Sequence, residues 1–291
     1  MFKGTYTAMI TPFRNGEVDV DQLAANVEYQ IEQQVDGLVP VGTTGESPTL
    51  SHEEHRRVIE CVVETAAKRV TVIAGTGSNS TREALELTEH ARQIGADAAL
   101  MVNPYYNKPT QEGLYRHFMA VAEGVELPIV MYNIPGRTGI TMAPETVGRL
   151  AQHPRIIGIK EATGSIDIAS QIMCSCDPDQ LTILSGDDSL TLPLMSIGAQ
   201  GVVSVLSNLT PDRVKALTTA ALAGDMPKAR QLHTKLFPLC TAMFLETNPI
   251  PIKTAMAITG RDSGELRLPL CPMSRQNQNK LEQTLRRHGV I

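Results

Sequence analysis

The chain has 291 residues, of which 42% are hydrophobic and 20% are charged. This is the composition of a globular protein, so disorder is excluded as the default, and the length suits one large domain or two ordinary ones. The 26 lysines and arginines against 31 aspartates and glutamates give a formal net charge of -5. No segment combines basic with aromatic residues, which argues against nucleic acid or an anionic membrane as a partner.

The first residues and the cysteines indicate a compartment. The segment MFKGTYTAMITPF has neither the apolar core nor the cleavage site of a signal peptide, and no apolar run reaches the roughly 18 residues of a membrane span. The five cysteines form an odd set without disulfide or zinc spacing. We therefore expect a soluble, cytoplasmic protein with free thiols.

Eight short segments rich in valine and isoleucine recur along the chain, with helix-period segments between them. In chain order they are YTAMI, GLVPV, VTVIA, DAALMV, PIVMY, IIGIK, LTILS and GVVSV. Ser51 with Glu54, and Ser80 with Glu83, fit the capping box of a helix start, and Gly95 fits a helix end. Strands with little alternation and helices with one apolar face are typical of a parallel sheet covered by helices.

Eight such units favour a (β/α)8 TIM barrel over an open sheet. The open doubly wound sheet is the alternative, but its G-x-G-x-x-G turn is missing, since AGTGSN has two glycines and follows the third strand. The eighth strand ends near Val205, and no linker-like segment separates the helical remainder. We expect a catalytic barrel over residues 1–206 and a C-terminal helical extension over residues 207–291, packed on the barrel.

Lys160 closes the sixth apolar segment, at the strand end where a barrel carries its active site. An ordinary lysine, with a pKa of about 10.4, is protonated at pH 7, whereas burial lowers this pKa and frees the amine to form a Schiff base. The alternatives are an ion pair with Glu161, which strand alternation disfavours, or a side chain that reaches solvent. Lys253 in NPIPIKTAM also follows an apolar run, but the prolines predict a helix start there.

A Schiff-base enzyme also needs a proton carrier and donors for a carboxylate. Tyr132 suits the first task and the turn GTTG the second, although a buried structural tyrosine and a plain glycine-rich turn are the alternatives. Arg137 suits a second carboxylate held bidentately, unless it is only a solvated loop residue. His52 and His55 lack the H-E-x-x-H spacing and a third ligand, so no metal is expected.

The segments GTTGES, NPYYNKP, YNIPGRTG, GIKEATG and LSGDD together resemble the pyruvate-dependent aldolases, and within them the dihydrodipicolinate synthase family. The resemblance runs from GTYTAMITPF to NPIPIKTAM. It implies an enzyme without cofactor that condenses pyruvate with L-aspartate 4-semialdehyde, in diaminopimelate and lysine biosynthesis. The alternatives are a lyase for long sugar acids such as N-acetylneuraminate, whose branch lacks Arg137, or another 2-keto acid aldolase. A barrel that binds pyruvate-like ligands without turnover is the contrasting class.

The same resemblance implies roles for four catalytic residues. Lys160 would form the Schiff base with pyruvate, and Tyr132 would relay protons. Thr43 would connect Tyr132 to Tyr106, which a neighbouring subunit would contribute. The expected assembly is therefore a homo-oligomer, with a tetramer built from two dimers as the favoured form.

Substrate and effector residues are also implied by the resemblance. Thr44 would hold the pyruvate carboxylate and Arg137 that of the semialdehyde, with the backbone of Gly186 and Val203 lining the site. Lysine-inhibited members bind L-lysine at a dimer interface, at positions that here are Ser47, Pro48, His52, His55, Asn79, Glu83 and Tyr105. Pro48 stands where alanine is common in the family. We therefore expect feedback inhibition by L-lysine.

Overall fold

The structure is a computed structural model and describes residues 2–291. Eight parallel strands close into a barrel, and each strand pairs with its neighbours in chain order, with β1 joined to both β8 and β2. The strands are β1 (Gly4–Ala8), β2 (Gly37–Val39), β3 (Thr71–Gly75), β4 (Ala98–Val102), β5 (Ile129–Asn133), β6 (Ile156–Glu161), β7 (Thr182–Ser185) and β8 (Gly201–Ser204). The predicted (β/α)8 barrel is confirmed, and the open-sheet alternative is wrong.

Twelve α-helices lie within residues 2–291. They are α1 (Val20–Glu32), α2 (His52–Ala66), α3 (Thr81–Gln93), α4 (Gln111–Gly124), α5 (Pro135–Thr138), α6 (Pro144–Leu150), α7 (Ile166–Ser175), α8 (Thr191–Ser196), α9 (Pro211–Leu222), α10 (Met226–Ala242), α11 (Ile250–Ile258) and α12 (Arg275–Arg287). A two-stranded hairpin, Phe13–Arg14 with Glu17–Val18, follows β1. None of these helices has both the length and the apolar character needed to cross a bilayer.

The helix ends follow the predicted caps with one exception. At α2 the reciprocal capping box of Ser51 and Glu54 is complete. At α3 only half of it forms, because Ser80 accepts the backbone N–H of Glu83 while the Glu83 carboxylate accepts the hydroxyl of Ser78 instead. Gly95, directly after α3, has a φ of +86° and ends the helix as predicted.

Three apolar clusters build the interior. The lumen of the barrel is filled by side chains that include Tyr132, Leu184 and Val203. The largest cluster lies between the strands and the ring of helices, and a third joins the helices from α9 onwards to the outer side of β8. The apolar lumen matters for function because any polar group at its mouth is desolvated.

The C-terminal helices pack on the barrel. Helix α9 lies against β1 and β8, whereas α10 packs on α9 and α12. Helix α9 therefore takes the place of the eighth barrel helix. The predicted boundary between residues 206 and 207 stays a prediction, and this packing favours a later one, after Leu222.

A register shift in β6 decides which way its lysine points. Ile156 and Gly158 pair with successive residues of β5, so Ile157 is an extra residue on β6. Side chains alternate along a strand, and an extra residue reverses the alternation. Ile156 belongs to the cluster outside the barrel, yet Lys160, four residues later, lies beside Tyr132, its partner on β5. Without the bulge, the lysine would face the helices.

Candidate active site

Lys160 is a buried amine at the carboxyl end of β6. Its side chain is 6% exposed, and its Nζ lies 4.1 Å from the centre of the Tyr132 ring. Burial lowers the pKa of Lys160 to about 7; the carboxylate of Asp188 opposes this decrease and the positive charge of Arg137 adds to it. A large share of the amine is therefore neutral at neutral pH, which is the state that attacks a carbonyl.

Glu161 does not pair with Lys160, as strand alternation predicts. Its carboxylate accepts the backbone N–H of Thr163 at 2.6 Å and the side-chain amide of Asn133 at 3.4 Å. The side chain is 2% exposed, and burial raises its pKa. Within residues 2–291, Lys160 thus forms no ion pair that would hold its proton.

Tyr132 is the neighbour of Lys160 across the sheet. Burial raises its pKa to about 12, while Arg137 and a hydrogen bond with Thr43 act in the opposite direction. The phenol is therefore protonated at neutral pH and can both donate and accept a proton. Tyr132, Thr43 and Arg137 line one cavity of about 260 Å³.

Gly186 leaves room for the lysine side chain. A Cβ at this position would lie 3.1 Å from both Cγ and Cε of Lys160 and 2.7 Å from Cβ of Ala162. The backbone N–H of Gly186 donates to the carbonyl of Glu161 at 2.7 Å. This hydrogen bond restricts movement of the Gly186 backbone away from Lys160. A larger residue than glycine at position 186 would therefore displace the side chain of Lys160 or Ala162. Val203 is buried in the lumen cluster that contains Tyr132.

Thr44 and Arg137, predicted to hold two carboxylates, are connected through Asn248. The Asn248 side-chain amide donates to the Thr44 hydroxyl at 3.1 Å, and Nη2 of Arg137 donates to the backbone carbonyl of Asn248 at 3.0 Å. Thr44 is buried, whereas Arg137 is exposed on the cavity. The exposed guanidinium is accessible to an incoming anion.

Tyr106 does not reach the other predicted catalytic residues within this chain. Its side chain is 90% exposed, and its φ of +70° lies in the left-handed region. Within residues 2–291 it forms no hydrogen bond with Thr43 or Tyr132. Its predicted contact with Thr43 requires a second copy of the chain.

The predicted effector residues lie beside the same cavity. Its wall includes Ser47, Pro48 and Tyr105. Two further contacts join members of the set. Nε2 of His52 lies 3.0 Å from a carboxylate oxygen of Glu83, and the side-chain amide of Asn79 donates to the backbone carbonyl of Tyr105 at 3.2 Å.

His55 differs from the rest of the effector set. It is 6% exposed, and burial lowers its pKa to about 4, opposed by a hydrogen bond with the backbone of Gly75. The imidazole is therefore neutral at physiological pH. No group of three or more His, Cys, Asp or Glu side chains within residues 2–291 is arranged to hold a metal ion.

Lys253, the second candidate nucleophile, lies in a different environment. It is in α11, as the helix start predicted, and is 0% exposed. Its Nζ lies 2.7 Å from a carboxylate oxygen of Glu46 and donates to the carbonyl of Thr11 at 2.9 Å. An amine held by a carboxylate and a carbonyl, without access to the cavity, is a structural element.

Two residues of the site escaped the sequence analysis. Asp188 is buried and accepts the backbone N–H groups of Val205 and Leu206 at 2.8 and 3.0 Å. In the sequence, only the pair of aspartates in LSGDD indicates Asp188, and the structure is needed to show which of the pair is buried. Asn248 has no signal at all, because its partners Thr44 and Arg137 are distant in the chain.

A parallel barrel that holds a buried, low-pKa lysine beside a tyrosine at its strand ends is the arrangement of a Schiff-base lyase. The model of the Dihydrodipicolinate synthetase family matches residues 1–288. The chain belongs to this family.

Individual relatives match the chain over its whole length. The 4-hydroxy-tetrahydrodipicolinate synthase of Geotalea daltonii is 57% identical over 100% of both chains. A solved dihydrodipicolinate synthase variant described as monomeric has a TM-score of 0.97 at 41% identity, covering 100% of this chain and 98% of its own. A structure from Cyanidioschyzon merolae with lysine bound has a TM-score of 0.96 at 38% identity, covering 100% and 99%. These structural likenesses agree with the barrel fold of the chain.

Proposed function

We propose that the chain condenses pyruvate with L-aspartate 4-semialdehyde to give 4-hydroxy-tetrahydrodipicolinate. The observation that carries the proposal is the buried amine of Lys160, whose pKa is lowered to about 7, beside the Tyr132 ring. Thr44 and Arg137, the proposed carboxylate-binding residues, are joined through Asn248. A curated relative with 57% identity over the full length bears the name of this activity. The reaction uses no added cofactor, because the lysine itself supplies the covalent chemistry.

The first half of the reaction forms the enamine. The neutral amine of Lys160 attacks the keto carbon of pyruvate, and the Tyr132 hydroxyl passes protons as the carbinolamine forms and loses water. The resulting Schiff base makes the methyl protons of pyruvate acidic. Loss of one of them gives the enamine, whose methylene carbon is the nucleophile of the second half.

The second half joins the two substrates. The enamine carbon attacks the aldehyde of the semialdehyde and forms the new carbon–carbon bond. The amino group of the second substrate then attacks the Schiff-base carbon, closes the ring and displaces the Lys160 amine. Arg137 holds the second carboxylate bidentately and Thr44 holds the first, which suits a short substrate with a terminal carboxylate.

A direct comparison of substrates tests this proposal. We expect turnover of pyruvate with aspartate semialdehyde and none with N-acetylneuraminate in the lyase direction, measured in coupled assays. Arg137→Ala should raise the KM for the semialdehyde roughly 10- to 100-fold, the loss expected for a charge-assisted hydrogen bond. Arg116→Ala removes a surface arginine that pairs with Glu112 and is the matched control. Turnover of the sugar acid instead would overturn the proposal.

We infer further that L-lysine inhibits the enzyme by binding beside Ser47, Asn79, Glu83 and Tyr105. The support is that Ser47 and Tyr105 line the cavity, that the Asn79 amide donates to the carbonyl of Tyr105, and that one relative is solved with lysine bound. Millimolar L-lysine should lower turnover, with D-lysine as the control. Unchanged turnover in L-lysine would show that the site has lost this role.

We also propose a homo-oligomer, with a tetramer as the favoured form. The support is the exposed Tyr106, whose catalytic role needs a second copy of the chain. The oligomeric state stays a prediction, since one relative is a monomeric variant. The cytoplasmic location also stays a prediction.

A further inference from the structure

Asn248 is a buried amide that contacts both predicted carboxylate-binding residues. It lies just before α11, is 5% exposed, and donates from its side chain to the Thr44 hydroxyl. Its backbone carbonyl accepts Nη2 of Arg137. No other residue within 2–291 forms hydrogen bonds with both Thr44 and Arg137. Asn248 therefore links the two ends of the proposed substrate site.

The direction of the hydrogen bond with Thr44 has a chemical consequence. An amide nitrogen can only donate, so the Thr44 oxygen is the acceptor, and the hydroxyl proton is left for another partner. A hydroxyl proton is otherwise free to rotate. The carboxylate of pyruvate, held at this residue in the proposed function, is an acceptor for that proton.

Asn248 also anchors an exposed side chain. One of the five guanidinium N–H groups of Arg137 is used on the Asn248 carbonyl, and the others remain available for a carboxylate. An arginine that is already held loses less side-chain entropy when an anion binds. The contact thus favours a defined distance between Arg137 and Thr44.

The remaining polar atom of Asn248 argues against a purely structural role. Its side-chain oxygen is buried and accepts no hydrogen bond from residues 2–291. An unpartnered buried carbonyl lowers stability, so a residue that served only packing would be better apolar. The amide donor to Thr44 is what an apolar residue could not supply.

The segment of Asn248 is held against the Thr44 turn at a second point. Lys253 in α11 forms a fully buried ion pair with Glu46, two residues after Thr44, at 2.7 Å. The backbone N–H of Gly45 also donates to the carbonyl of Gly42 inside the turn. The position of Asn248 relative to Thr44 is therefore well defined.

We propose that Asn248 is a positioning residue of this site. It directs the hydroxyl proton of Thr44 towards the pyruvate carboxylate and sets the distance between Thr44 and Arg137. The inference rests on the part of the proposed function that places the pyruvate carboxylate at Thr44, and its test on pyruvate does not depend on the identity of the second substrate.

Asn248→Asp tests the inference because it keeps the shape of the side chain and replaces the donor by an acceptor. The Thr44 proton then turns to the aspartate, and a negative charge faces the incoming carboxylate. The pyruvate concentration that half-saturates borohydride trapping should rise roughly 10- to 100-fold. Trapping at saturating pyruvate should change by less than about threefold, since the amine itself is intact.

Two further variants complete the experiment. Asn248→Ser removes the amide without adding charge and should raise the half-saturating pyruvate concentration by roughly three- to tenfold. If thermal melting shows that Asn248→Asp does not fold, Asn248→Ser replaces it as the test variant. Asn26→Asp is the matched control, because Asn26 is also buried but lies in α1 and accepts Gln22 at 3.1 Å. We expect the control to bind pyruvate like the parent chain.

Half-saturation unchanged in the folded Asn248 variants would overturn the inference. So would a fall in maximal trapping with unchanged half-saturation, which would make Asn248 a structural residue only. Trapping needs no second substrate, so a failure of the parent chain to use the semialdehyde would overturn the proposed function and leave the Asn248 result standing.

Discussion

We expect Lys160→Met to abolish borohydride trapping of pyruvate and to lower turnover by roughly a thousandfold or more, the size of effect that follows the removal of a covalent nucleophile. The physical reason is that the Schiff base has no other neutral amine to form on at this mouth. Mass spectrometry after reduction with labelled pyruvate measures the adduct and its position. Methionine fills the space of the lysine side chain, so the lumen beside Tyr132 and Gly186 stays packed. An adduct on any other lysine of the variant would contradict the assignment.

The pH dependence of the parent chain is the internal control for this result. Because the pKa of Lys160 is lowered to about 7, the neutral fraction of the amine rises with pH through that value. The initial trapping rate at low pyruvate should therefore increase between about pH 6 and 8 and level off above, whereas an ordinary lysine would level off only near about 10.4. A rate that still rises tenfold per unit above pH 9 would show that the amine is not desolvated.

The same pKa predicts the sign of a stability effect. The unfolded chain holds the Lys160 proton up to about pH 10.4, while the folded chain releases it near about 7, so the free energy of unfolding rises with pH between those values. The reactive amine thus destabilises the folded chain at neutral pH. Lys160→Met removes this cost, so we expect its loss of function to be accompanied by a gain in stability.

The strands and their order could be predicted because apolar segments of strand length recur between amphipathic helices. The direction of Lys160 could not, since it depends on the extra residue Ile157, and a bulge leaves no mark on an all-apolar segment. The capping box predicted at α3 was wrong in one half, because the Glu83 side chain binds other partners. The carboxylate of Glu83 has competing donors, the hydroxyl of Ser78 and the ring of His52, that only the fold brings near.

Some residues of the candidate site could be predicted from the sequence, and others could not. Residues in the segments that follow a strand, such as Thr44 after β2 and Arg137 after β5, could be proposed from position and chemistry. Asn248 and Asp188 act through partners that other elements supply, so their roles depend on tertiary contacts. The role of Tyr106 is the hardest to derive from one chain, because its proposed partner lies on another copy of the chain.

Lys253→Met has the largest expected effect on stability. The substitution leaves the Glu46 carboxylate buried without its cation, and breaking a buried pair in this way costs roughly 3–5 kcal/mol in free energy of unfolding. Asp262 is a second buried carboxylate that interacts with the same lysine, and burial raises its pKa to about 6, so the substitution also removes a positive charge that stabilises ionised Asp262. Urea unfolding at pH 7 measures the loss.

The double variant Lys253→Met with Glu46→Gln separates the ion pair from simple packing. Removing both charges should recover a large part of the lost stability, because no uncompensated charge then remains in the interior. Trapping on Lys160 should persist in the folded fraction of both variants, since Lys253 has no access to the cavity. If the double variant is as unstable as Lys253→Met, the loss comes from packing. If trapping disappears from folded Lys253→Met, then α11 positions the site more tightly than the contacts through Asn248 imply.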